Sequence, residues 1–138
     1  MTNLSSPEPT RGLLDTSAVI DHDILDPDRL PDETAIAAVT LAELAAGPHA
    51  TDDESERARR QDRLQWAGAT WDALPFDVDA ARAFGRVYAA SKAAGRAGRR
   101  RFADLLIAAT AAAHGLDLYT RNPADFQGLD EVVRIVPV

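Results

Sequence analysis

The chain has no cysteine, which excludes disulfides and thiolate metal sites and fits a reducing, cytoplasmic setting. Any metal must therefore be held by oxygen or imidazole. No apolar run approaches the roughly 20 residues that span a bilayer, so no membrane segment is expected. There is no Gly-x-Gly-x-x-Gly and no Walker loop, so a nucleotide cofactor is not expected either. No nucleophile elbow supports a Ser–His–Asp triad, and His22, His49 and His114 have no zinc-like spacing. Lysine is almost missing. Lys92 is the only one, in the middle of a predicted helix, which argues against a signalling receiver domain, since that needs a lysine on a later strand.

What is present describes one globular domain. The 138 residues are 46 % hydrophobic, enough for a single core and too apolar for disorder. Residues 1–10 carry two prolines and neither a basic nor an apolar signal-peptide region, so they read as a loose leader. Residues 11–138 are expected to fold. The net charge of −7 argues against indiscriminate nucleic-acid binding, yet the positive charges are grouped. Lys92, Arg96, Arg99, Arg100 and Arg101 form one island, and Arg57, Arg59, Arg60 and Arg63 another. The plain reading of the second is a solvated helix face.

Gly12-Leu13-Leu14-Asp15 reads as a buried strand ending in a carboxylate, with a helix starting at Thr16 or Ser17. Residues 22–32 suggest a short helix and a loop. Thr34–Val39 reads as a second strand, and Thr40 as the N-cap of a short helix stopped by Gly47-Pro48. Thr51–Trp71 is a charged, partly exposed helix with Ala58, Leu64, Ala67 and Trp71 on one stripe; Trp66 lies off it, which leaves it open to a partner or a neighbouring helix, with core burial its expected fate. Leu74-Pro75-Phe76 suits only an edge strand. Asp77–Gly95 forms an amphipathic helix on Ala81, Phe84, Val87, Tyr88 and Ser91. Phe102–His114 is an almost wholly apolar helix closed by Gly115, followed by strands at Leu116–Thr120 and Val132–Val136 with a turn at 121–126. Strands alternate with helices, so the fold class is α/β with a mostly parallel central sheet of about five strands in three α/β/α layers.

In such a fold the carboxyl ends of strands share an edge with the amino ends of helices. Asp15 follows the first strand, and Glu43 and Asp104 fall in first helical turns. Asn122 and Asp125 follow the fourth strand. Each has a bland role alone: Thr40-x-x-Glu43 is a capping box, and Asp104 complements a helix dipole. Together they predict an acidic cluster. Carboxylates gathered without a cation repel one another, and all-oxygen ligation favours Mg²⁺, with Mn²⁺ as an alternative.

Four strings in this order resemble the motifs of PIN-domain nucleases. They are Leu14-Asp15-Thr16-Ser17, Thr40-Leu41-Ala42-Glu43-Leu44, Phe102-Ala103-Asp104-Leu105-Leu106-Ile107, and Leu118-Tyr119-Thr120-Arg121-Asn122-Pro123-Ala124-Asp125-Phe126. Size and spacing are most similar to the VapC toxins of bacterial type II toxin–antitoxin modules. The resemblance implies a PIN-like nuclease domain over residues 11–138 and an Mg²⁺-dependent endoribonuclease that arrests translation. It also implies a cognate VapB antitoxin, an RNA substrate and a homodimer. It makes Asp15 and Asp104 the metal-binding acids and Glu43 the third acid. The fourth family position is often acidic where this chain has Asn122, with Asp125 one turn later. Thr16, Ser17 and Thr120 are candidates to orient a water or a phosphate oxygen, and Arg99, Arg100 and Arg101 to guide the RNA backbone. The alternative is a degenerate PIN fold that binds RNA or protein without cutting.

Overall fold

A computed structural model describes residues 7–96 and 101–138. Strands β1 (Arg11–Leu14), β2 (Glu33–Ala37), β3 (Ala73–Leu74), β4 (Asp117–Thr120) and β5 (Ile135–Pro137) form one sheet in the order β3-β2-β1-β4-β5. All four pairings are parallel. Parallel neighbours need crossovers that return over a face of the sheet. Helices α1 (Thr16–Ile20), α2 (Ala38–Ala46), α3 (Glu54–Thr70), α4 (Val78–Ala93) and α5 (Phe102–Ala113) supply most of them.

The three layers follow from the two-residue period of a strand. Leu13, Ala37 and Leu118 share one core with Ala83 and Val87 of α4 and with Leu105, Ile107 and Ala108 of α5. Their chain neighbours Leu14, Ile36 and Tyr119 enter a second core with Ala18 and Val19 of α1, Leu44 of α2 and Ala67 of α3. A sheet buried on both faces needs consecutive apolar residues, and β1 supplies Leu13-Leu14 and β4 Leu118-Tyr119, all buried.

The chain runs outward through β1, β2 and β3 and returns to β4 on the other side of β1. Strand order thus reverses between β1 and β4, where a crevice opens at the carboxyl ends. The Asp15 amide donates to the Tyr119 carbonyl at 3.0 Å, carrying the β1–β4 pairing one residue beyond the strand. Asp15 and Thr120 meet there.

Several sequence expectations shift. α2 begins at Ala38 with Ala37 as a cap that makes no side-chain bond, so Thr40 is not an N-cap and the Thr40–Glu43 capping box does not form. Glu43 lies in the second turn. α4 buries Ala80, Ala83, Val87 and Ser91, whereas the expected Ala81 and Tyr88 are exposed. Small side chains let α4 approach α5, and the contact stripe therefore tracks alanine rather than bulk. Ala58 of α3 is exposed. Trp66 is only partly covered, ringed by His22 and Trp71 at centroid distances of 5.3 and 4.9 Å. Residues 22–24 and 27–29 form two 3-10 turns. β5 starts at Ile135, and buried Val133 precedes it outside the strand. Thr10 is tied to Asp32 by two reciprocal bonds of 2.9 Å, one residue before β1.

Gly12 illustrates how tightly the central strands fit. A Cβ at Gly12 would collide with the Tyr119 ring, 2.6 Å from its Cδ1, and press on Pro31 at 3.1 Å. Gly12→Ala should lower stability by about 1–3 kcal/mol, the usual cost of overpacking, read as a lower midpoint in denaturant unfolding with an unchanged slope.

Candidate active site

Asp15 caps α1 and is buried at 4 % exposure. Its Oδ1 accepts from the Ala18 amide at 2.9 Å and the Ser17 hydroxyl at 2.7 Å, and its Oδ2 accepts from the Thr120 hydroxyl at 2.6 Å. Ser17 in turn accepts from the Arg121 amide, and Thr120 from the Asn122 amide. The carboxylate is thus locked by β4 as well as by its own helix. Capping and site membership are not alternatives here. Burial pushes the Asp15 carboxyl up; the Thr120, Ser17 and Ala18 donors oppose this, and the nearby charge of Asp125 adds to it.

Glu43 reaches the same edge from α2. Its Oε1 accepts from the Thr16 hydroxyl at 2.6 Å, and its Oε2 pairs with the Arg101 guanidinium at 2.9 Å. The Thr16 oxygen also lies 3.1 Å from that of buried Thr40. Thr40, expected as a cap, instead packs beneath the Thr16–Glu43 contact. Asp104 occupies the first turn of α5, as the sequence predicts, and is 8 % exposed. Its carboxyl is pushed up to about 6, chiefly by burial and further by the charges of Asp125, Asp15 and Glu43, with Arg101 opposing the rise. These four carboxylates, from four separate elements, share one electrostatic neighbourhood.

They line a cleft of about 540 Å³ together with Thr16, Ser17, Arg101 and Asn122. Asn122 shapes the following 3-10 turn through its carbonyl, which accepts from the Asp125 amide at 3.0 Å, and not through its side chain. Thr120 stands behind the cleft, bonded to Asp15, rather than on its wall. Arg99 and Arg100 lie outside the described residues. Arg96 does not line the cleft and donates to the Ala124 carbonyl at 3.3 Å, and Lys92 is exposed on α4. The second basic island contributes more than expected. Arg60 and Arg63 of α3 line the cleft, so this helix face is not merely solvated. Their spacing within the island was the available signal; that α3 brings them to the same cleft as Asp15 was not readable.

Comparison with known proteins bears on this geometry. The model of the PIN domain family matches residues 13–132. The chain belongs to the PIN-domain family. It is 38 % identical to Ribonuclease VapC5 of Mycobacterium tuberculosis, over 94 % of this chain and 99 % of that protein. It is 33 % identical to the VapC ribonuclease Y4jK of Sinorhizobium fredii, over 86 % and 93 %. Its fold matches the crystal structure of VapBC-5, a member of the VapBC family of toxin–antitoxin systems from Mycobacterium tuberculosis. That match has a TM-score of 0.83 and 40 % identity, and covers 94 % of this chain and 100 % of the other.

The oxygen donors in this PIN domain suit a hard divalent cation. Among the described residues, no group of three or more His, Asp or Glu side chains is arranged to hold an ion alone. The raised carboxyls give a test. Ionising an acid whose folded pKa lies above its unfolded one destabilises the fold, so the penalty at Asp104 is full above pH 6 and vanishes below the ordinary carboxylate range. In chelator, Asp104→Asn should melt at a higher temperature than wild type at pH 7. The difference should close as the pH falls from 6 to below 4, and divalent cation should reverse the order at pH 7.

Proposed function

We propose that this chain is a metal-dependent endoribonuclease acting as the toxin of a toxin–antitoxin module and held inactive by a VapB-type antitoxin. The observation that carries this reading is the convergence of Asp15, Glu43, Asp104 and Asp125 on one cleft whose rim holds Arg60, Arg63 and Arg101. A fold gains nothing in stability by driving four carboxylates together, so a cation and a phosphodiester are the natural occupants. Membership of the PIN family and identity to proteins named VapC ribonucleases support the same activity.

In this reading Asp15 and Asp104 bind the cation directly, while Glu43 and Asp125 act on its bound waters or on a second ion. Mg²⁺ is the proposed ion, because its shell keeps waters that two carboxylates leave free; Mn²⁺ can replace it. When bound, the ion supplies Lewis acidity, lowers the pKa of an attacking water and offsets charge on the phosphate. The residues of the chain do the positioning. Ser17, Thr120 and the Ala18 amide hold both Asp15 oxygens, so the carboxylate enters the cleft in one orientation. Thr16 and Arg101 hold Glu43 similarly. Arg101 is 71 % exposed at its side chain and can exchange its carboxylate partner for an incoming phosphate. Asp125, which presses on the charges of both Asp15 and Asp104, takes the fourth acidic role in preference to Asn122. That preference favours cutting over the degenerate, non-cutting alternative.

Among the described residues, no helix is long and apolar enough to cross a membrane. The cytoplasm, where RNA is made and translated, is the proposed location.

Two measurements test the reading. Mn²⁺ should raise the unfolding free energy of wild type by about 2.7 kcal/mol at a hundredfold excess over Kd, and should not stabilise Asp15→Asn. A shift in neither protein would return these acids to structural roles. In RNA cleavage, Asp104→Asn should lose on the order of a hundredfold or more, the scale of several kcal/mol of charge stabilisation. Asp125→Ala should lose more activity than Asn122→Ala, and the reverse order would move the fourth role to Asn122.

A further inference from the structure

A groove of about 310 Å³ adjoins the acidic cleft on the face formed by α1 and α3. Ile20 and Arg63 line both, so the two are continuous. Trp66 forms part of the groove wall and is 37 % exposed. Its indole is braced edge-on by Trp71 at 4.9 Å and tilted against His22 at 5.3 Å. The two rings hold the indole in place, and the residue stays partly uncovered where it lines the groove. Arg63 lies one turn before Trp66 on the same helix face. Among the described residues it makes no hydrogen bond or ion pair, whereas Arg59 and Arg60 are both paired with Glu56.

We propose that this groove is a nucleotide subsite. The base of a residue flanking the scissile phosphate stacks on Trp66, and Arg63 binds the phosphate between that residue and the cleft. The inference rests on the ribonuclease reading and adds to it a place where single-stranded RNA is held. An aromatic face beside an unpaired guanidinium is the usual composition of a single-strand binding site. The groove is not a channel for a long phosphate chain, because Asp23 and Asp62 also line it and repel phosphate. It fits one base whose backbone stays at the Arg63 end. Stacking of this kind tolerates any base, so the subsite selects unpaired over paired RNA rather than a sequence.

The test compares a single-stranded 12-nucleotide RNA of mixed sequence with an abasic ribose-phosphate 12-mer of equal charge. Both are bound to protein carrying Asp104→Asn so that cleavage does not interfere. The RNA should bind at least about fivefold tighter than the abasic chain, a difference that Trp66→Ala removes and Trp66→Phe keeps. Arg63→Met should weaken both ligands alike and reduce the salt slope by about one. Trp66→Ala also removes part of the His22–Trp71 cluster, so a second readout avoids that variant. With Trp71→Phe leaving Trp66 as the sole indole, RNA should quench its fluorescence and the abasic chain should not. A ratio unaffected by Trp66→Ala, or quenching that does not distinguish the ligands, overturns the subsite while RNA cleavage by the unmodified protein leaves the ribonuclease reading standing. Loss of antitoxin binding in Trp66→Ala with RNA binding unchanged would assign the groove to a protein partner and likewise overturn it. Absence of RNA binding and cleavage from every form, including wild type, would remove both.

Discussion

Mutual repulsion among carboxylates at one sheet edge sets the demands that the surrounding structure meets. Asp15 and Asp104 are both nearly buried, and burial alone raises each above its ordinary range. Asp125 raises both further, and Glu43 adds to the load on Asp104. The response is local and specific. Three donors converge on Asp15, a hydroxyl and a guanidinium take both oxygens of Glu43, and Arg101 draws Asp104 down. These contacts lessen the repulsion without ending it, because hydrogen bonds orient a carboxylate but do not neutralise it. In the proposed function a divalent cation supplies the missing positive charge, and its binding would then add to the stability of the fold.

The parallel sheet makes such a site possible. Its crossovers return every strand in the same direction, so β1 and β4 end side by side, and α2 and α5 begin near the same edge. Two packed faces hold this edge in place. The α4–α5 pair covers one face through small side chains, and α1 with α3 covers the other. α3 does more than cover. Its outer surface carries Arg60 and Arg63 into the cleft and Trp66 into the adjoining groove, so one helix supplies both core and positive charge beside an acidic floor.

The acids were legible in the sequence because each breaks a pattern. Asp15 ends an apolar strand, and Asp104 interrupts an otherwise apolar helix; both stand where they were expected. Glu43 reaches the cleft as expected, from the second helical turn rather than the first, and its bland alternative fails. The Thr40–Glu43 spacing looks like a capping box, yet α2 starts three residues earlier than such a box requires, and Thr40 packs under Thr16. Helix starts in an alanine-rich stretch carry little local signal, since neighbouring residues fit either state. The α4 stripe was misplaced similarly, because periodicity favours bulky residues while close helix packing selected Ala80 and Ala83. Core burial was the expected fate of Trp66; its place off the α3 stripe was the one sign of exposure, and nothing local showed that His22 and Trp71 would brace it at a surface.

By itself the sequence determined the α/β alternation, the two-sided burial of the strands and which acids stand at the carboxyl edge of the sheet. These depend on residue type and on periods of two or 3.6, which a single chain displays directly. Tertiary structure alone decided that Thr120 would bond to Asp15 across 105 positions, that Arg101 rather than solvent would meet Glu43, and that Arg63 would stand at the junction of cleft and groove. Such contacts depend on strand order and on how far a crossover helix leans over the sheet. Those quantities are set by the packing of the whole core, and no local stretch of sequence encodes them.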